Sequence, residues 1–291
     1  MASLLDMRRR IKSVKNTQQI TKALKMVAAA KLKRSQDKVV AARPYAEQMS
    51  DVLGGISAKV ADEFSHPLLD ERGDEKYLIV LISGDKGLAG AVNTNVIKAT
   101  QNFLNENSGK ESSLVAVGRK GRDFFKRRKV EMREEYIGIM GGQVKHSDAA
   151  DVAARLIADF TEDTSIDKVF VVFTEFKSVL SQSPVIRQLL PIPRVTAEEE
   201  GAETGPNAEY IYEQPAAEIF GRLLPKQVET QLYRGMLESS ASFFGSQMTA
   251  MDSASKNAGE LIDTLTLNMN RIRQAAITKE IIEVVSGAAA A

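Results

Sequence analysis

At 291 residues, 43% of them hydrophobic and 26% charged, the chain has room for one or two globular domains and a sizeable core. The absence of cysteine excludes disulfides, thiolate metal sites, cysteine nucleophiles and thiol redox control together. A formal net charge of +1 gives no global pull toward nucleic acid or anionic membrane, and no apolar run approaches the ~18 residues of a membrane span. A soluble protein on the cytosolic side is expected, with any membrane association running through a partner.

Chain order begins with a long helix-forming segment, Ser3 to Ser57. Ser3 is placed to cap it, with Asp6 near the positive end of the helix dipole. Apolar and small residues recur at helical spacing: Ile11, Val14, Ile20, Leu24, Val27, Ala28, Leu32 and Val39. Residues 1–38 carry eleven basic side chains against two acids, Asp6 and Asp37. Such an amino terminus has the composition of a targeting peptide, but the helical pattern continues to residue 57 without cleavage-site logic. The basic run is therefore either a solvated helix face or a stripe that steers docking onto an acidic partner. Nucleic acid is weakened as a partner because few aromatics interleave with the lysines. Pro44 is expected to bend the rod and Gly54-Gly55 to weaken its end. A connector follows, at about 59–76.

From Tyr77 to about Val195 the pattern alternates between strand and helix. Tyr77–Ile82, Ser113–Val117 and Lys168–Phe173 are short apolar runs, as expected of strands buried on both faces. A more polar strand is expected around Val130–Ile137, and a last, more exposed one over Ser183–Ile192. Helices are expected over Leu88–Leu104, over Arg119–Arg128, and from a Ser147 cap to Phe160. These units predict a Rossmann-like α/β domain over 77–195. Residues 196–214 are expected to hold an acidic loop followed by strand-like residues before the next helix.

A second long helix is expected from Pro215 onward, within a segment 215–291 that has no proline beyond Pro225. Ala254, Ala258, Leu261, Leu265, Asn268 and Ile272 are spaced 4-3-4-3-4, which reads as a coiled-coil seam with Asn268 fixing register. Unbroken helices over both segments would be roughly 80 Å and 105 Å long. The two rods, in segments 1–58 and 215–291, are expected to pair as an antiparallel coiled coil. The turns from Ile277 to Val285 are apolar on several faces, which calls for a sheath from another protein.

The best candidate for a ligand site is Gly84-Asp85-Lys86-Gly87-Leu88-Ala89-Gly90, a glycine-rich turn between strand and helix. It fits neither the Walker nor the dinucleotide spacing. Tight strand-to-helix packing is the plainer reading, and phosphate cradling the sharper one. His66 and His146 lack metal-ligand spacing, and no catalytic constellation or cofactor site stands out. Periodicity alone leaves a shaft that transmits force or position and a coiled-coil scaffold close, with a nucleotide-binding enzyme using the Gly84 loop and a nucleic-acid binder using the basic amino terminus as further alternatives.

The end motifs carry a resemblance. Arg271-Ile272-Arg273-Gln274-Ala275-Ala276-Ile277-Thr278-Lys279-Glu280-Ile281-Ile282-Glu283-Val284-Val285-Ser286-Gly287-Ala288 closely resembles the signature of the γ subunits of F-type ATP synthases. The Ile11–Leu32 segment, an Arg43-Pro44-Tyr45 turn, the Gly84–Gly90 loop and Gln188-Leu189-Leu190-Pro191 are similar too, in the same order along the whole chain.

The resemblance implies a non-catalytic rotor shaft inside a hexamer of α and β subunits. The α/β domain would sit beside the ε subunit and on the ring of c subunits. Arg273 and Gln274 match the pair that catches a β-subunit loop, and Leu24, Lys25 and Met26 fall where the first helix passes the β subunits' acidic lever. Ile277, Ile281, Val284 and Val285 would form an apolar bearing. Tyr210, Tyr212 and Glu213 match the foot that meets the c-ring and ε. Phe243-Phe244-Gly245-Ser246-Gln247 departs from the family's Glu- and Arg-bearing segment, and Met269 stands where an aromatic is common. Without the chloroplast form's cysteine-bearing insertion, redox switching is not expected. The implied location is peripheral, on the cytoplasmic face of a bacterial inner membrane.

Overall fold

The computed structural model describes residues 4–60, 64–163, 165–193 and 215–289. In chain order the elements are α1 (Leu4–Val60), β1 (Lys76–Ile82), α2 (Val92–Glu106), β2 (Glu111–Val117), α3 (Arg119–Arg127), β3 (Met132–Tyr136), α4 (His146–Glu162), β4 (Lys168–Phe176), β5 (Gln182–Leu190) and α5 (Ala216–Ala289). The fold class is the expected one: two long terminal helices and a central Rossmann-like α/β domain. The chain divides into two compact units, one formed by residues 31–246 and the other by the outer parts of α1 and α5.

Within the 31–246 unit the five strands lie in the order β3-β2-β1-β4-β5. β1, β2, β3 and β4 run parallel, and β5 returns antiparallel to β4. The link of residues 177–181 is too short for a crossover, so β4 and β5 can only form a hairpin. Alternate residues of the central strands serve two cores. Ile79, Leu81, Leu114, Ala116 and Val172 pack with Val96 and Ile97 of α2 and Phe125 of α3. Leu78, Val80 and Ile82 are equally buried on the other face. There Gly235 lets α5 approach closely, since a Cβ would sit 3.3 Å from Ile82 and 3.4 Å from Phe173. Burial on both faces explains why these strands read as continuous apolar runs rather than alternating ones.

α5 also covers an open strand edge. β4 pairs with β1 only as far as Val172, which leaves the backbone of Thr174 and Phe176 without a ladder partner on that side. Thr174 N–H donates to Ser239 Oγ at 3.1 Å, and Ser242 Oγ donates to Thr174 C=O at 3.2 Å. Phe176 N–H donates to Glu238 Oε2 at 3.1 Å. The buried polar run Glu238–Ser242 thus substitutes for a neighbouring strand. At the other end of the sheet, Asp74 accepts from Lys110, Lys168 and Tyr77. The bonds from Lys110 and then Lys168 hold its carboxyl well below the usual carboxylate range.

Several local expectations change. Arg43-Pro44-Tyr45 is not a turn, because Pro44 lies in the interior of α1, as do Gly54 and Gly55. α2 begins at Val92 rather than Leu88, because Leu88 and Gly90 have φ of 61° and 54° and a helix cannot start there. α4 starts at His146, so Ser147 is inside it and caps nothing.

In the other unit α1 and α5 run antiparallel. Thr21 Oγ1 and Ser255 Oγ share a buried hydrogen bond of 2.7 Å, and Lys25 Nζ meets Asp252 at 2.6 Å. Gln18 Nε2 donates to Ser255 C=O at 3.2 Å. Buried and half-buried positions on α1 follow a 4-3 alternation through Met7, Ile11, Val14, Gln18, Thr21, Lys25 and Ala28. The facing row on α5 is Met251, Ser255, Ala258, Ile262, Leu265 and Met269. Leu261 is 47% exposed and Asn268 points outward, so Asn268 does not fix register. The Thr21–Ser255 pair holds that position, because small hydroxyls bond to each other where two backbones approach closely.

Candidate functional site

The Gly84–Gly90 loop is a packing device. Asp85, 9% exposed, accepts from the backbone N–H groups of Arg119 at 3.0 Å, Gly138 at 3.1 Å and Met140 at 3.0 Å. Those donors belong to the segments that follow β2 and β3, so one carboxylate ties together three strand ends. Gly84 N–H donates to Asn93 Oδ1 at 2.9 Å, and Asn93 Nδ2 returns a bond to Lys86 C=O. Ser246 Oγ donates to Ala89 C=O at 2.9 Å. The amides a phosphate would need at these strand ends are held by the chain's own anion, which would also repel one. Phe243, from the departing segment, lies against Gly84, where a Cβ would be 2.8 Å from its ring. Phe244 receives Lys31 Nζ over its face at 5.2 Å. That departure therefore builds local packing.

Asp85→Asn keeps one acceptor oxygen and turns the other into a donor facing N–H groups. It is expected to cost about 2 kcal/mol, measured by chemical denaturation of the full chain. A loss within about 0.5 kcal/mol would contradict the three-way tie.

His66 accepts from Leu68 N–H at 3.2 Å, and burial lowers its pKa. His146 sits 3.2 Å from Glu229 and packs edge-on against Tyr233. Among the described residues no three His, Asp or Glu side chains gather as metal ligands.

The feature that singles out this molecule is the far end of α5. Carrying the Thr21–Ser255 pairing back along α1 brings Leu4, the first described residue, level with about Ile272. Beyond it α5 continues to Ala289 with no covering helix among the described residues. That is roughly 25 Å of uncovered helix. Ile277, Ile281, Ile282, Val284 and Val285 are 48–72% exposed there. Arg273 and Gln274 are exposed where the cover ends. An uncovered apolar helix of this length is not a stable free surface in water.

The chain matches the family model described as ATP synthase over residues 3–291. It is 52% identical over 294 residues to the ATP synthase gamma chain of Solibacter usitatus, covering 100% of both chains. The chain belongs to the ATP synthase gamma-chain family. The gamma chain of Pelotomaculum thermopropionicum is 46% identical over 290 residues, covering 100% of this chain and 99% of that one. A chain of the central stalk and c-ring of Tetrahymena thermophila mitochondrial ATP synthase superposes with a TM-score of 0.60 at 25% identity, covering 81% of this chain and 99% of that one. A chain of the Euglena gracilis mitochondrial enzyme gives 0.68 at 18% identity over 99% and 94%, a likeness of fold.

The family residues singled out in the sequence fall in separate places. On α1, Leu24 is half-buried, Lys25 is engaged by Asp252, and Met26 is 68% exposed. Asp252 also takes Lys256 at 3.4 Å, and the Lys25 bond is the main cause of its lowered pKa. Arg273, Gln274 and the apolar positions from Ile277 to Val285 share the uncovered stretch of α5. Tyr210, Tyr212 and Glu213 lie outside the described residues. Sequence reasoning missed Asp252, the partner of Lys25, and the buried Thr21–Ser255 pair. The signal available was the antiparallel relation itself, which sets 25 against 252 and 21 against 255.

Proposed function

We propose that this chain is the central-stalk rotor of an F-type ATP synthase and carries no catalytic site of its own. The observation that carries the reading is the uncovered end of α5, which exposes Ile277, Ile281, Ile282, Val284 and Val285 beyond the cover α1 provides. An apolar bearing suits rotation, because hydrophobic contact is non-directional and imposes few fixed hydrogen bonds. Seated in a hexamer of α and β subunits, that end turns without a preferred angle. Polar groups that meet β subunits at particular angles then supply the coupling: Arg273 and Gln274 at the base of the bearing and Lys25 on α1, where Leu24 and the exposed Met26 add apolar contact. The c-ring drives the shaft through the foot at Tyr210, Tyr212 and Glu213, beside ε. No described helix is long and apolar enough to cross a membrane. The reading accordingly places the chain at the cytoplasmic face of a bacterial inner membrane, held there through the c-ring.

Reconstitution tests this directly. One copy should enter each hexamer of α and β subunits, and sustained ATPase activity should appear only on its addition. No incorporation with folded partners would return the chain to the class of coiled-coil scaffolds. Arg273→Ala combined with Gln274→Ala touches no buried group, so assembly and stability are expected to hold. Coupled ATP synthesis in membranes is expected to fall about tenfold, the equivalent of one lost charge-assisted contact. Unchanged synthesis and hydrolysis would remove these two residues from the coupling.

A further inference from the structure

In the unit formed by residues 1–30 and 247–291, a groove of about 540 Å³ opens between α1 and α5. Lys22, Lys25 and Met26 line it from α1, and Asp252 and Lys256 from α5. Lys25 Nζ lies 2.6 Å from Asp252 Oδ1, and Lys256 Nζ lies 3.4 Å from Asp252 Oδ2. Two cations therefore take different oxygens of one carboxylate. Lys22, a turn before Lys25 and exposed, has no ion pair among the described residues.

These ion pairs do little to hold the two helices together. The Lys25 and Asp252 side chains are 43% and 36% exposed and that of Lys256 is 73%, and pairs so open to water contribute little to stability. The buried Thr21–Ser255 bond and the Gln18 amide on Ser255 C=O hold the helices here instead. A contact that the helix pair does not need can be given up. Nor does losing Lys25 leave Asp252 without a cation, because Lys256 stays beside its other oxygen.

With three lysines to one acid the groove has positive charge to spare, and Met26, 68% exposed, offers apolar contact beside it. That combination fits a protein surface bearing carboxylates next to an apolar side chain. Free phosphate would use the cations alone and would meet Asp252 among them.

We infer, resting on the rotor reading above, that Asp252 is the internal competitor for Lys25. As the shaft turns, Lys25 passes from Asp252 to a carboxylate of a β subunit and back, while Lys256 keeps Asp252 paired. One exposed ion pair replaces another of the same kind, so each contact forms and breaks at small net cost. Asp252 is a positioning residue: it sets how firmly the shaft holds each β subunit it passes.

A water-soluble carbodiimide, which joins a lysine to a carboxylate it touches, reads the exchange directly. In the isolated chain it is expected to link Lys25 to Asp252. In the complex reconstituted with α and β subunits and hydrolysing ATP, a share of Lys25 is expected to link to a β-subunit carboxylate, and Asp252→Asn should raise that share. Asp252→Asn should also slow ATP-driven turnover roughly two- to fivefold, because Lys25 has no acid to return to. The slowing should shrink as ionic strength rises, and it should vanish when Lys25→Met is present in both chains compared. Lys25 linked to Asp252 alone in the active complex overturns the inference. So does Asp252→Asn turnover that matches the natural chain at every salt concentration. An Asp252→Asn chain that fails to fold or assemble overturns it too, because the ion pair would then be holding the helices. A natural chain that never enters the hexamer removes the rotor reading itself, and the inference with it.

Discussion

Gly118→Ala is expected to cost the full chain at least about 4 kcal/mol, enough to lower Tm by about 10 °C or more. Gly118 follows β2 directly and caps the start of α3 with φ of 103°, a conformation that side chains rarely adopt. A Cβ there would lie 2.0 Å from the Ser83 carbonyl oxygen and 2.7 Å from its carbon. Those are backbone atoms and cannot swing aside. Nor can the turn move alone. Gly118 N–H donates to Tyr136 C=O at 2.8 Å, Ser83 N–H donates to Val117 C=O at 2.8 Å, and Gly121 N–H donates to Ser83 Oγ at 2.9 Å. Relieving the clash therefore breaks bonds among β1, β2 and β3 at the ends that Asp85 ties. Gly55→Ala is the control, because nothing lies within 4 Å of its added Cβ. Being inside a helix, it should be neutral or stabilising by up to ~1 kcal/mol. Thermal and chemical denaturation of both variants decide the matter. A loss under about 1 kcal/mol for Gly118→Ala would mean that the strand ends are far looser than they stand.

The contrast between these glycines shows what a sequence can and cannot convey. Continuous apolar runs declared β1, β2 and β4 because both faces of the sheet are covered, and burial of that kind is written in hydrophobicity alone. The two long helices were equally legible from the period of their apolar residues. The seam of α5 was not. Leu261 and Asn268 match a seam by type and spacing, yet the facing row keeps only Ala258 and Leu265 of the expected positions around them and runs through Ser255, Ile262 and Met269 in place of Ala254, Leu261 and Asn268. A hydroxyl pair such as Thr21–Ser255 carries no hydrophobic signal, so only the partner helix reveals it. The same holds for Asp85. An acid in a glycine-rich loop suggests ligand chemistry, whereas its three backbone partners come from segments more than thirty residues away. For the proposed coupling residues the chemistry lies in subunits other than this one. Their exposure is a property of this chain, whereas the surfaces they are proposed to meet belong to its partners.

Glu238→Ala is the second large effect, expected to cost about 3 kcal/mol. Glu238 is 1% exposed and touches three elements at once. Its Oε2 accepts from Phe176 N–H at 3.1 Å, and its Oε1 faces Arg234 Nε at 3.3 Å and Arg43 at 3.7 Å. Arg43 in turn donates to Phe176 C=O at 3.1 Å, so α1, β4 and α5 meet in one charged knot. Removing the carboxylate strands the Phe176 N–H in a buried site and leaves two guanidinium groups facing each other. The arginines differ from the acid in what they can recover. The Arg43 side chain is 39% exposed and that of Arg234 22%, so both can rehydrate in part. Arg43→Ala alone should therefore cost less, about 1–2 kcal/mol. Glu238→Gln keeps an acceptor for Phe176 and loses only the charge, which places it between the two. The decisive quantity is the double variant. If the knot acts as one unit, Glu238→Ala with Arg43→Ala costs clearly less than the two separate losses combined, because the second arginine no longer faces a missing partner. Strict additivity in urea denaturation would mean that the acid serves the β4 edge and that Arg43 is held by Phe176 alone.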